Sequence, residues 1–256
     1  MIRDPFGDPV AGNPMEAARR GARPVLPRRF YKHASIGERA GAFAILLDGK
    51  PAKTSAKNPL VLPSRALAEA VAAEWAGQGA HIDPASMPLT RLAHAAIDRV
   101  AGGAQAVAAE IVNYAGSDLL LYRATEPEGL VAAQAKHWDP VLAWAGEVFG
   151  ARFTLAQGVK HVAQPEAAIH AIRVEIARYA SLFQLAALVS LTHISGSALL
   201  ALALGRGRLS PDEAWAAAHV DEDWNIQRWG EDAEAMRCRA ARRLEFDAAA
   251  RMLKLL

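Results

Sequence analysis

Residues 42–67 read AFAILLDGKPAKTSAKNPLVLPSRAL, and within them the chain changes from strand to helix. Ala42–Leu47 is an apolar run. Asp48-Gly49 follows, a pair suited to the two positive-φ positions of a type I′ hairpin turn. Asn58-Pro59 marks a second turn before Leu60-Val61-Leu62. Ser64 then stands as the N-cap of a helix whose face is Leu67, Val71 and Trp75. This reading predicts a short, twisted antiparallel sheet that hands over to helices. Upstream, Phe30 and Tyr31 are expected to join the sheet, with Gly37-Glu38-Arg39 and Gly41 breaking the first strand pair.

Beyond Ser64 the chain reads as helix after helix. Leu89, Leu92, Ala93, Ala96, Ile97 and Val100 form one buried stripe, closed by Gly102-Gly103. Val107 and Ile111 define another helix. One from Leu130 to His137 is expected to restart at Asp139-Pro140, with Val141, Trp144, Val148 and Phe149 inward. Gln164-Pro165 opens a helix carrying Ile169, Ile172, Ile176 and Tyr179. Leu185–Leu204 is a long apolar stretch, read as one buried central helix ending at Gly205. Ser210-Pro211-Asp212-Glu213 is a capping box with proline at the first helical position. A last helical segment runs from about Asp221 to Leu255, with a bend expected at Gly230.

The fold class is therefore α+β, with a small β-rich N-terminal domain and a mostly α-helical C-terminal domain. The expected divisions are an N-terminal arm at 1–27, a β-rich domain with two helices at 28–103, and a helical domain at 104–256. The boundary is open as far as Glu126, because Asp118–Tyr122 could return to the sheet.

Composition agrees with this plan. The 256 residues carry a net charge of +2, are 52% apolar and contain one cysteine, which excludes disordered, collagen-like and disulfide-stapled chains. Alanine supplies 57 residues, so much of the apolar content is helix-forming rather than bulky. The near-neutral balance argues against a nucleic-acid binder. Arg19, Arg20, Arg23, Arg28, Arg29 and Lys32 near the N-terminus read as a solvated arm, since base-stacking aromatics do not interleave with them.

Most catalytic signatures are missing. There is no phosphate loop, and Gly205-Arg206-Gly207 lacks the third glycine and the strand of a dinucleotide site. No HExxH or CxxC occurs, and Ser195-Gly196-Ser197 is not a nucleophile elbow. His94 and Asp98, four apart on one helix, could share a metal, but a polar face with a hydrogen bond between them is the plainer reading. His193 reads as a satisfied core histidine. These three are the candidates for an enzyme with a site between the domains. A peripheral membrane protein using the arm and Leu185–Leu204 is the other alternative.

The stretch VDEDWNIQRWGED (220–232) carries the most information. At 100° per residue, Ile226, Trp229 and Ala233 share one stripe, which should face the core. Trp224 falls opposite, among Gln227, Arg228 and Glu231. Leaving it exposed forfeits about 1.5–3 kcal/mol of burial. Glu222 lies near the helix start, where the dipole favours a carboxylate. A binding surface and packing of Trp224 beneath the N-terminal domain, with Asp221 merely capping, are equally consistent with this pattern.

Eight blocks in order resemble the F1-ATP synthase assembly chaperones that bind the alpha subunit. They are RRFYK (28–32), LDGKPAKT (47–54), EWAGQ (74–78), MPLTRLAHAAID (87–98), SDLLLYR (117–123), HWDPVLAW (137–144), SGSALLALAL (195–204) and DEDWNIQRWGED (221–232). Ser55, Ser117 and Asn225 stand where that pattern has Pro, Thr and Gln. The resemblance implies a non-enzymatic, two-domain chaperone that binds unassembled alpha subunit and prevents its aggregation, without cofactor or metal. It selects Glu222, Trp224, Gln227, Arg228, Glu231 and Asp232 as partner contacts. The expected state is a monomer without nucleic-acid binding or stable membrane insertion. The expected compartment is the bacterial cytoplasm, with the mitochondrial matrix as the alternative.

Overall fold

A computed structural model describes residues 26–39, 41–158 and 161–256. The arm expected at 1–27 therefore lies, up to residue 25, outside the described residues. Chain contacts divide the protein into two compact units. The first ends at Ala101 and takes in Leu255–Leu256; the second is Gly102–Lys254.

In the first unit, β1 (Ala34–Arg39) pairs antiparallel with β2 (Ala42–Leu47), from Ala34↔Leu47 to Arg39↔Ala42. β2 also pairs with β3 (Lys50–Pro51) and β4 (Val61–Leu62). The turn residues Asp48 and Gly49 have φ of 50° and 78°, as the hairpin reading requires. Two expectations need correction. Gly37-Glu38-Arg39 does not break the strand but continues it. A Cβ at Gly37 would lie 2.9 Å from Leu46 Cδ1, so the glycine makes room for a neighbour's side chain. Phe30 and Tyr31 are not strand residues. Phe30 is exposed, while Tyr31 is buried and its hydroxyl donates to the Trp75 carbonyl at 2.7 Å.

Helix α1 (Arg65–Ala76) begins at Ser64, whose Oγ accepts from the Leu67 N–H at 3.1 Å. Leu67, Val71 and Trp75 are buried as expected. α2 (Pro88–Asp98) buries Leu89, Ala93, His94 and Ala96. Its first N–H groups are taken up by the Glu74 carboxylate, which accepts from Leu89 and Thr90.

The second unit opens with α3 (Ala104–Ala115). β5 (Tyr122–Arg123) follows and pairs in parallel with β6 (Ala156–Gln157), so Tyr122 joins a strand of its own unit. Between these strands, α4 (Glu128–Phe149) runs unbroken through Pro140, where a restart was expected. Pro140 sits on the exposed side, so the bond its missing N–H would make is lost next to water, while Trp138 and Val141 stay packed. Val148, expected inward, is exposed.

α5 (Glu166–Ile176) leads to α6 (Leu182–Ser195) and α7 (Ala198–Gly205). The single helix expected over Leu185–Leu204 is therefore two. Gly196 has φ 68°, which ends α6, and Ser197 Oγ caps α7 by accepting from Leu200 N–H at 3.0 Å. The polar groups of this apolar segment are satisfied locally. Thr192 and Ser195 donate to the carbonyls four residues back. Among the described residues, no helix is long and apolar enough to cross a membrane.

α8 (Pro211–Ala218) starts with the expected capping box of Ser210 and Glu213. α9 (Val220–Trp229) and α10 (Ala233–Leu255) complete the unit, separated at Gly230. The bend expected there is a break, with φ 86° and ψ 177°.

Candidate interaction site on the α9–α10 hairpin

α9 places Asp221, Glu222 and Asp223 in its first turn and Arg228 in its last, which matches charge to the helix dipole at both ends. Each acid is also engaged. Asp221 accepts from Gln134 Nε2 at 2.7 Å. Glu222 pairs with Arg242 at 3.1 Å and lies 3.7 Å from both Arg239 and His219. Asp223 pairs with Arg239. One carboxylate pair on α9 thus clasps two arginines of α10.

Behind this clasp, His219 stacks on the Trp215 ring at 3.8 Å, and its Nδ1 lies 2.8 Å from the Trp215 carbonyl. Burial pushes the imidazole pKa down. The bond to Trp215 and the charge of Glu222 oppose this, while Arg239 and Arg242 add to it.

The tryptophans exchange their expected places. Trp224 is half-buried, with its indole over the first turn of α4. A Cβ at Gly129 would lie 2.5 Å from Trp224 Cη2, so only glycine admits the ring. Arg228 covers it from another side, with its guanidinium 4.8 Å from the ring centre. Trp229, expected in the core, is 78% exposed, the most exposed large apolar side chain among the described residues. Ile226 is half-buried and Ala233 is exposed.

The reason is the break at Gly230. The stripe Ile226–Trp229–Ala233 exists only if one helix continues through residue 230. With α9 only ten residues long, orientation is set by Trp224 docking on Gly129 and by the arginine clasp.

The six selected residues thus divide into two groups. Glu222 and Trp224 hold the hairpin together. Gln227, Arg228, Glu231 and Asp232 are exposed. Asp232 also accepts from the Glu234 and Ala235 N–H groups, capping α10. Trp229 is the residue that sequence reasoning missed. The available signal was Gly230 immediately after it, which ends a helix and its stripe. Together Trp229, Glu231 and Asp232 form a tip with an indole beside two carboxylates, an arrangement suited to recognition.

The enzyme candidates are engaged separately. Burial works to raise the Asp98 carboxyl pKa. Hydrogen bonds from Thr54 Oγ1 (2.5 Å), Asn58 Nδ2 (2.9 Å) and Ala56 N–H (3.1 Å) outweigh it and hold the group low. His193 is exposed rather than in the core, 2.8 Å from Glu110. His94 belongs to the first unit and His193 to the second. Among the described residues, no three His, Cys, Asp or Glu side chains gather to hold a metal.

Comparison with known proteins places this architecture. A family model described as ATP12 chaperone protein matches residues 28–146. The crystal structure of Atp12 from Paracoccus denitrificans is 42% identical, with a TM-score of 0.83, covering 89% of this chain and 97% of that one. The chain belongs to the ATP12 chaperone family. A single-site variant of the Paracoccus Atp12 aligns at 41% identity with the same TM-score and coverage. Atu1473 from Agrobacterium tumefaciens, described as a candidate chaperone, is 47% identical with a TM-score of 0.87, covering 96% of this chain and 92% of that one. The small strand-containing N-terminal region followed by a mostly helical part is thus the ATP12 fold. The α9–α10 hairpin lies beyond the last residue that the family model matches.

Proposed function

We propose that this ATP12-family chaperone serves assembly of the F1 sector of ATP synthase in a bacterial cytoplasm, by binding unassembled alpha subunit. An unassembled subunit exposes a face that its neighbour normally covers, and such apolar faces aggregate. A chaperone that covers the face and then releases it needs no catalytic residue, cofactor or metal. Its interface should be of moderate size, about 800 Å² per partner.

The observation carrying this reading is Trp229, 78% exposed at the α9–α10 corner beside Glu231 and Asp232. A tryptophan within a polar rim is the typical anchor of a protein interface. Gln227 and Arg228 extend the contact, while Glu222 and Trp224 act by holding the hairpin in place. The test mixes the purified protein with isolated alpha subunit and measures aggregation by light scattering and complex formation by co-elution. The expected result is suppression at stoichiometric ratio, lost in Trp229→Ala with Glu231→Lys while the far-UV spectrum stays unchanged. No suppression and no co-elution by the unmodified protein would refute the reading.

A further inference from the structure

The last turns of α4 form a second place where apolar side chains face water. Val148, Leu155 and Val174 are 55%, 47% and 49% exposed. They line two grooves on either flank of the α4 C-terminus. One groove, of about 570 Å³, is floored by Leu142, Phe153 and Leu155. The other, of about 320 Å³, is floored by Val148, Phe149 and Val174. The floor is fixed, because Phe149 packs edge-to-face on the buried Trp144 at 4.8 Å. Gly150, in the left-handed region, ends α4 at the edge of this surface.

Charge distinguishes the second groove. Glu175 is buried, and Arg206 grips it through two bonds of 2.6 and 2.7 Å. That pair is neutral and fixes the wall. Arg178 lies beside it, 3.6 Å from the same carboxylate, with its side chain 66% exposed. Two guanidiniums therefore share one carboxylate, which leaves one positive charge in excess at the rim. In the first groove, Arg152 is exposed, and Asp139 is already paired with Arg123 at 2.7 Å. The apolar floors thus have a cationic edge at Arg178.

We propose that these twin grooves hold an extended apolar segment of a non-native client chain that carries a carboxylate beside its apolar anchors. The inference rests on the chaperone reading but names a surface separate from the α9–α10 tip. Alternate side chains of an extended segment point to one face. Apolar groups lying over the ridge can therefore fill both grooves, while a neighbouring carboxylate meets Arg178 as a charge-assisted hydrogen-bond acceptor.

The test uses the full chain and a fluorescein-labelled nonapeptide of alternating leucine and glutamate, read by fluorescence anisotropy. A second peptide replaces glutamate with lysine. The glutamate peptide is expected to bind about tenfold more tightly than the lysine peptide. Val174→Asp, at an exposed position, should weaken it by a similar factor, and Arg178→Glu should reverse the preference between peptides. Trp229→Ala should leave peptide binding unchanged, so loss of alpha-subunit binding in that variant is separable from failure here. The proposal is overturned if neither peptide binds, if both bind equally, or if Val148→Asp and Val174→Asp leave binding intact. Concentration-dependent self-association abolished by Val174→Asp would also overturn it, by assigning the face to a second copy.

Discussion

The helix pair α6–α7 and the helix pair α9–α10 belong to the same compact unit, yet opposite forces hold them. From Leu182 to Gly205 most side chains are buried, and Leu188, Leu191, Leu199 and Leu202 are completely so. The break at Gly196 is sealed from within. Asp118 accepts from the Leu120 and Leu199 N–H groups at 3.1 and 3.0 Å, with Ser197 and the Ala198 N–H adding to the set. In the α9–α10 hairpin, among the described residues, Val220 alone is buried before Phe246. Arginines on α10 reach carboxylates on α9, and Arg243 reaches Asp212 and Asp247. Apolar burial tolerates salt, whereas exposed ion pairs contribute less than about 1 kcal/mol each and are screened. The difference teaches how one unit can be stable and still present a tip: burial fixes α6–α7, and charge positions the hairpin without covering Trp229.

The comparison can be broken from the buried side first. Leu188→Ala should cost about 2–5 kcal/mol, because it leaves a cavity where relaxation is limited. Urea unfolding followed by circular dichroism reads this. A cost below about 1 kcal/mol would show that α6 is not the rigid half of the pair.

Asp118 offers a pH test of the same half. Burial pushes its carboxyl from 3.8 up to about 6, against the lowering by its hydrogen bonds. A raised carboxyl pKa means that the folded state binds more protons than the unfolded one. Stability from this group is therefore fully present below pH 3.8 and is lost as pH rises through about 6. The elevation corresponds to roughly 3 kcal/mol. Asp118→Asn removes this titration, so the stability difference between wild type and variant should change between pH 4 and pH 7 by about that amount. A constant difference would contradict the assignment.

Gly129→Ala sharpens the contrast at the junction of hairpin and core. Alanine is the better helix former by about 0.5–1 kcal/mol, so propensity alone predicts stabilisation. The Trp224 ring occupies the space of the added methyl. The expected outcome is a net loss of about 1–3 kcal/mol with red-shifted tryptophan emission. Stabilisation would mean that Trp224 is not docked on α4. The smallest effect belongs to Trp229→Ala, which should alter stability by no more than about 0.5 kcal/mol while removing the interface anchor.

Much of the fold was legible from local chemistry. The Asp48-Gly49 turn, the Ser64 cap and the Ser210–Glu213 box each rest on one or two residues whose backbone needs are specific. What failed depended on partners distant in sequence. Gly37 looks like a strand breaker until Leu46 is seen to need its space. Gly196 splits an apolar run that periodicity cannot divide, because every face of α6 and α7 is apolar. The candidate site shows the same limit. Residues 220–232 were recognisable as a charged helix bearing two tryptophans. Which ring faces solvent was decided by Gly129, more than ninety positions away, and by a break that ended the predicted stripe. The acidic residues Glu231 and Asp232 were legible because they are exposed on any reading of this stretch.

The central claim is that the α9–α10 tip receives the client. Amide hydrogen exchange with and without isolated alpha subunit tests it directly. The account predicts new protection in peptides covering residues 226–235 and unchanged exchange across residues 182–205. Binding of the subunit with exchange at 226–235 unaltered would contradict it.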